Sequence, residues 1–478
     1  MTDTKATSKK IIPIVSDPAK GGFMPMYEAQ AKIYPRNTFG FFKNWRWVMI
    51  WITQIVFYGV PWLQWGDRQA MLLDISTHRF YIFGLVLYPQ DLIYLVVILI
   101  IAALALFLFT AVAGRLWCGF SCPQSVYTEI FLWMERKIEG DRAARMRLDG
   151  MKFGFKKLYI KSLKHFAWIS FSMVTGFTFL GYFSPIRDLL DSIVQIRLSP
   201  WETFWIFFYG LATYGNAGFL REQVCKHMCP YARFQSAMFD NDTLIVTYDQ
   251  ERGEPRSGRS RKVDAKQEGL GDCIDCNFCV QVCPVGIDIR NGLQYECISC
   301  GLCVDACNSI MDKMSYPRGL IRFTTQNGLA QHWTKHQVIQ KILRPRVLIY
   351  SALLLLLSAG LVASLAMRPA FKVDINRDRG VMSRLVAGGK IENVYQLQIT
   401  NVTEVVESYH VTVSGLDGLS MASRNQFTVD PANERLVAVS LQLPDGAVRS
   451  GTHPIMFEIE ALGSKERITQ KSIFYMPR

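Results

Sequence analysis

Charge is sparse in this chain, and acid is the scarcer sign: 19% of its 478 residues are charged, with 40 Asp and Glu against 53 Lys and Arg. Half of the residues are apolar. This composition excludes a disordered chain and an ordinary soluble enzyme. The +13 excess points to cytoplasmic loops facing anionic lipid rather than to nucleic acid. Gly-rich phosphate loops and nucleotide fingerprints are missing, so neither a nicotinamide nor a flavin site is expected. The histidines are scattered, with no two inside one apolar stretch, which argues against a bis-histidine haem. Residues 1–20 lack the continuous apolar core of a signal peptide, so the first span should itself insert and remain.

What the chain does have is five apolar stretches of the length that crosses a bilayer, roughly 20 helical residues. They run approximately Val48–Trp65, Leu92–Gly114, Phe166–Ser184, Thr203–Leu220 and Val347–Met367. The first carries Gln54 and Pro61 and the fourth is glycine-rich, so these two should line a bundle interior. Trp45, Trp47, Trp62, Trp65 and Trp201 fall at or near predicted ends, as interfacial anchors do.

Lys and Arg number 11 in residues 115–165 and 17 in 221–346, but two each in the loops 66–91 and 185–202. That asymmetry places the N-terminus and both basic segments in the cytoplasm, and everything after Met367 in the periplasm of a Gram-negative inner membrane. The basic stretch Arg252–Lys266 reads as a linker lying along the lipid surface.

The last hundred residues change character. Alternating runs such as Tyr395–Ile399, Tyr409–Val413, Leu436–Leu441 and Ile455–Ile459, broken by Gly, Asp, Asn and Pro, predict a small β-sandwich without cysteine, read as a docking module. The fold expected is therefore a multi-pass α-helical membrane protein of five spans. It carries an inserted α+β dicluster ferredoxin-like domain and a C-terminal all-β immunoglobulin-like sandwich. The divisions are a cytoplasmic segment 1–45, a four-helix membrane region with a basic loop 46–224, an iron–sulfur domain 225–346, a fifth helix 347–367 and a periplasmic sandwich 368–478.

The twelve cysteines carry the chemistry. Eight lie in two runs, Cys273-x-x-Cys276-x-x-Cys279-x-x-x-Cys283-Pro284 and Cys297-x-x-Cys300-x-x-Cys303-x-x-x-Cys307. This is the spacing of a ferredoxin with two 4Fe-4S clusters, in which each run lends its fourth cysteine to the other cluster. One cluster should use Cys273, Cys276, Cys279 and Cys307, the other Cys297, Cys300, Cys303 and Cys283. Soft thiolates suit iron at the corners of a cubane, and a doubled run is far more specific than a lone zinc-type C-x-x-C. Asn308 stands where many such runs have proline.

The remaining four form two identical motifs, Cys118-Gly-Phe-Ser-Cys122-Pro123 and Cys225-Lys-His-Met-Cys229-Pro230, each after an apolar stretch. Each pair spans about one helical turn, either on one helix face or straddling a helix end, because proline drives the preceding residue out of the α conformation. Four thiols meeting at one membrane face would bind Cu(I), zinc or another iron–sulfur centre. His227 and Met228 point away from Cys225 on a helix and are not expected as ligands.

The order of spans, paired motifs, doubled ferredoxin run, final span and outer sandwich resembles the cytochrome c oxidase accessory protein family CcoG, also called FixG or RdxA. Gly114-Arg-Leu-Trp-Cys-Gly119, Tyr248-Asp-Gln-Glu-Arg-Gly-Glu254, Gly271-Asp-Cys-Ile-Asp-Cys276 and Gly319-Leu-Ile-Arg322 carry the likeness over nearly the whole chain. The resemblance implies reduction of Cu(II) to Cu(I) during assembly of cbb3-type oxidase. It assigns the copper role, catalytic and metal-binding, to Cys118, Cys122, Cys225 and Cys229. The partners implied are cbb3-type oxidase subunits or copper chaperones, a cytoplasmic or quinol electron donor, membrane lipid and, in a homo-oligomer, further copies of the chain. Two rivals share the same features: a quinol-linked ferredoxin subunit feeding a partner reductase, and a non-enzymatic assembly scaffold.

Overall fold

The computed structural model describes residues 32–261, 267–377 and 382–477; most of the N-terminal segment expected over 1–45 lies outside them. Two helices among the described residues are long and apolar enough to cross a membrane, Leu92–Ala113 and Pro345–Ala366. They lie antiparallel, with Tyr94 Oη 3.2 Å from Ser364 Oγ at one end and Arg344 Nη2 donating to Ala111 O at the other.

The other three expected spans are helices with shifted bounds and do not pass that test. Phe41–Gly59 begins on Lys43 and Arg46 and stops before Pro61. Phe155–Leu180 opens on Lys156, Lys157, Lys161 and Lys164. Pro200–Gly215 has 16 residues, about 24 Å at 1.5 Å each, and continues as a π turn over Asn216–Leu220. In the first two, charges that serve buried ion pairs occupy one end of the helix; the third is short of the length required. Their outward faces still expose Trp51, Ile55, Val56, Phe166, Phe204, Phe207 and Leu211. Phe155–Leu180 and Pro200–Gly215 touch through Gly176, where a Cβ would sit 2.3 Å from Ile206 O.

Contacts sort the helix ends into two groups. At one end, a three-stranded hairpin sheet of Met71–Asp74, Arg79–Ile82 and Leu85–Leu87 meets the turn after Phe155–Leu180, with Leu73 N donating to Tyr182 O. The C-terminal sandwich rests on the same hairpins. At the other end lie the iron–sulfur domain and the segment 115–150. That segment is not a loop: helices Leu116–Phe120, Pro123–Glu139 and Arg142–Gly150 fill it.

The sandwich pairs Phe371–Arg377, Lys390–Asn401 and Glu434–Pro444 against Gln426–Val429, Glu407–Ser414, Gly451–Ala461 and Arg467–Met476. All four alternating runs fall inside these strands, and their inward positions, including Tyr395, Leu397, Val411, Val439, Leu441, Phe457 and Ile459, form one buried core without a disulfide. Buried Asp91, just before Leu92–Ala113, accepts from Arg368 and Lys372, and Tyr88 Oη donates to Asn401 O at 3.1 Å. Asp91→Ala should strand Arg368, whose side chain is nearly buried, and loosen the docking by about 3–5 kcal/mol. Hydrogen exchange on the full chain should then rise at residues 86–91 and 368–372 and stay slow in the sandwich strands. Unchanged exchange at the junction would show that these ion pairs do not hold it.

The described part of the basic linker packs on the iron–sulfur domain. Arg252 donates to Asp272 and to the carbonyl of Arg318, while Arg259 lies over the Tyr316 ring and donates to Gly271 O at 2.6 Å. Guanidinium groups here satisfy the carbonyls of the tight loops around the ferredoxin cysteines. Residues 262–266 of that stretch lie outside the described residues.

Candidate metal centres

Each ferredoxin run folds into a loop that curls over a cavity and then enters a helix, Phe278–Gln281 or Leu302–Met314. The loops repeat one backbone pattern. Asp275 and Asn277 in the first, and Ser299 and Gly301 in the second, take left-handed φ of 49°, 53°, 52° and 72°. Such left-handed residues within a loop turn successive N–H groups inward, a concavity suited to anionic sulfur.

The first cavity, about 360 Å³ of empty space, is lined by Cys273, Cys276, Cys279 and Cys307 together with Tyr248, Ile274, Met311 and Leu320. The second, about 370 Å³, is lined by Cys283, Cys297, Cys300 and Cys303, with Val285, Ile298 and Leu302. Cys279 borders both. Among the described residues no three His, Cys, Asp or Glu side chains converge as for a single ion. Four thiols around an apolar chamber fit a cubane instead. Cys273, Cys276, Cys279 and Cys307 would hold one cluster, and Cys297, Cys300, Cys303 and Cys283 the other. Burial pushes the thiols of Cys279, Cys297 and Cys307 up to about 12 and that of Cys283 to about 11, so metal binding must displace their protons.

Neighbouring side chains hold these loops. Arg290, itself buried, grips Asp275, Asp288 and Asn277. Asn308 Oδ1 accepts the Gly319 N–H at 3.0 Å, a use for the residue that replaces proline. The second loop is pressed onto the start of helix Phe41–Gly59: Asp305 accepts the N–H groups of Phe42 and Lys43, and a Cβ on Gly301 would meet Phe42 at 2.5 Å.

The two C-x-x-x-C-P pairs straddle helix ends. Cys118 lies in Leu116–Phe120 and Cys122 caps Pro123–Glu139; Cys225 lies in the π turn Val224–Met228 and Cys229 caps Pro230–Met238. Both capping cysteines are extended, with ψ of 128° and 110°, because each precedes a proline.

The pairs converge: in all six pairings the four thiols are near enough for their charges to act on one another. Burial first, and then these neighbours, push Cys118 to about 12 and Cys225 to about 11. Cys118 Sγ donates to Gln235 Oε1 at 3.3 Å. The four do not close into a single-ion site in this arrangement.

The quartet also abuts the second cavity. A Cβ on Gly119 would lie 2.6 Å from Ile298 O and 2.9 Å from Cys300 Cα, so only glycine admits this approach. Arg46 Nε donates to Gly119 O at 3.0 Å and secures it. Gly119, Gln235 and Arg115 escaped the sequence reading. Their signal was position alone, since Gly119 sits inside a cysteine pair and Arg115 directly follows a span.

Comparison with known proteins bears on these sites. Family models match at residues 220–326, described as a 4Fe-4S dicluster domain, at 95–140, described as a 4Fe-4S binding domain, and at 361–477, described as an IG-like fold at the C-terminal of FixG. The chain is similar to the nitrogen fixation protein FixG of Rhizobium meliloti, 34% identical over 95% of this chain and 94% of that protein. It is likewise similar to protein RdxA of Cereibacter sphaeroides, 37% identical over 88% of this chain and 92% of that one. The ferredoxin-type protein NapH of Haemophilus influenzae is 25% identical over 38% of this chain and 65% of its own length.

Proposed function

The chain belongs to the FixG/RdxA family of iron–sulfur electron-transfer proteins, and from that premise we propose that it is a membrane-bound cupric reductase, converting Cu(II) to Cu(I). The observation that carries the reading is the convergence of Cys118, Cys122, Cys225 and Cys229 beside the second cluster cavity, with Gly119 as the point of closest approach.

The residues divide the work. Exposed Cys276 marks the cavity at which electrons enter, and Cys279, bordering both chambers, makes the two neighbours. The clusters, when bound, supply the electrons, one for each Cu(II) that becomes Cu(I). The quartet takes the cupric ion as substrate. Thiolates prefer the reduced ion, so binding there makes Cu(II) easier to reduce. The open spacing of the four sulfurs suits an ion in passage, released to another thiol or thioether carrier by ligand exchange.

In this reading all five long helices cross the inner membrane. The N-terminus and iron–sulfur domain face the cytoplasm and the sandwich faces the periplasm. The lysine and arginine distribution supports this orientation, as does the grouping of hairpins and sandwich at one end of the bundle. The sandwich would dock cbb3-type oxidase subunits or a copper chaperone, and the donor would be a cytoplasmic protein or quinol.

The test is anaerobic. Cu(II) added to chemically reduced protein should restore the visible absorption of oxidised clusters, with one Cu(I) trapped per electron. Clusters that ignore Cu(II) and are reduced by quinol would sink the copper reading and leave the quinol relay.

A further inference from the structure

Six cationic side chains are buried among the described residues: Lys43, Arg46, Arg115, Arg145, Lys164 and Arg290. Five of them meet a carboxylate: Lys43 and Arg46 on Glu129, Arg145 on Glu135, Lys164 on Glu139, and Arg290 on Asp288. Arg115, 2% exposed, makes no such pair among the described residues. Its Nη1 donates to Tyr295 O and its Nη2 to Ala232 O, and its Nε is buried without an acceptor.

These contacts tie three parts together: the end of Leu92–Ala113, the loop before Cys297, and the helix after Cys229. Arg115 stands three residues before Cys118, and the carbonyls it holds lie two residues before Cys297 and three after Cys229; Cys118, Cys297, Cys225 and Cys229 are among the groups within electrostatic reach of its guanidinium. A guanidinium left in a low-dielectric interior without an anion costs several kcal/mol. With a cluster or copper bound, the anions beside it would be the thiolates of these ligands.

We propose that Arg115 is the counter-cation shared by two thiolate centres, the cluster that Cys297 would help to hold and the Cys118, Cys122, Cys225 and Cys229 quartet. It thereby raises the reduction potential of the first and retains copper at the second. The second half rests on the copper reading above; the first does not. The physical basis is charge: each centre becomes more negative on reduction or on loading with thiolate-bound Cu(I), and a fixed cation favours that state. Because one guanidinium serves both centres, it need not move as an electron passes. It touches no substrate atom and acts as a positioning residue.

The test uses the full-length protein with its clusters loaded, as Arg115→Gln and Arg115→Lys. Redox titration followed by electron paramagnetic resonance reads the potential, with the cluster on the Cys273 side as internal reference. Arg115→Gln should move the Cys297-side equilibrium about tenfold toward the oxidised form, or 59 mV for one electron. Cu(I) retained after desalting should fall, and Arg115→Lys should restore both. An unchanged potential in Arg115→Gln overturns the inference, as does an equal shift in Arg115→Lys, which would implicate packing rather than charge. Should Arg115→Gln lose iron, Arg115→Lys decides: full iron at the normal potential supports the role, and lost iron overturns it.

Replacing Cys118, Cys122, Cys225 and Cys229 together with serine separates the two readings. Copper turnover lost there while Arg115→Gln shifts nothing overturns this inference alone. Turnover kept there overturns the copper reading and, with it, the sharing of the cation.

Discussion

Replacing Cys118, Cys122, Cys225 and Cys229 together with serine should abolish copper reduction while iron content stays at the wild-type level. Serine keeps the size and a hydroxyl that can still donate to Gln235, so the local hydrogen bond at Cys118 survives. What disappears is soft sulfur, the property that favours Cu(I) over Cu(II). The eight cysteines that line the ferredoxin cavities are untouched.

The pairs also test one another. Because all four thiols converge, serine at either pair alone should remove most of the turnover; retention of half would mean two independent sites. Stopped-flow recovery of cluster absorbance after anaerobic Cu(II) addition measures both variants. Equal cluster oxidation in wild type and in the fourfold variant would mean that copper takes electrons directly at an exposed cluster edge. The quartet would then have no part in the chemistry.

The second large effect is expected at Glu135, on the helix that Cys122 caps. Its Oε2 accepts from Arg145 and Arg221, each at 3.1 Å, and Lys164 lies 3.8 Å from Oε1. Glu135 and Arg145 are both 1% exposed. Glu135→Gln leaves Arg145 without its carboxylate in a dry interior and should cost about 3–5 kcal/mol. A lowered Tm and early loss of iron should follow, because the same network seats the helix beside the second cavity. Wild-type stability in this variant would show that water or lipid headgroups reach the network.

Acid should have a related effect. Burial works to raise the Glu135 carboxyl, but Arg221, Arg145 and Lys164 prevail and hold it below the ordinary value. The unfolded chain, at about 4.3, then binds the proton first. The contribution is complete above that pH and is lost as pH falls toward and through the lower folded value. Glu135→Gln should flatten this acid limb of a stability profile.

Alternating strands were readable in advance because a two-residue period with one dry face survives any tertiary arrangement, as Tyr395–Ile399 and Ile455–Ile459 do. Helix bounds were less so. The first span ends at Gly59 rather than Trp65, and 115–165 is helical rather than a loop, because residues that look solvated by composition are neutralised by distant partners. Glu129, for example, meets Lys43 and Arg46 from 86 and 83 positions away. In the linker too, Arg252 and Arg259 find Asp272 and carbonyls on the iron–sulfur domain, partners the local sequence does not show.

By itself, the order of residues determined which cysteines sit together in each ferredoxin loop, where the sandwich strands lie and that Leu92–Ala113 and Pro345–Ala366 are apolar enough for lipid. These follow from spacing along a few bonds. It took the tertiary structure to decide that two C-x-x-x-C-P pairs over a hundred residues apart come within electrostatic reach of one another, that Gly119 closely approaches the Cys300 backbone, and that Arg115, alone among the buried cations of the described residues, has thiols rather than a carboxylate beside it. A cation's partner is set by which groups share its low-dielectric surroundings, and those surroundings exist only once distant segments have packed.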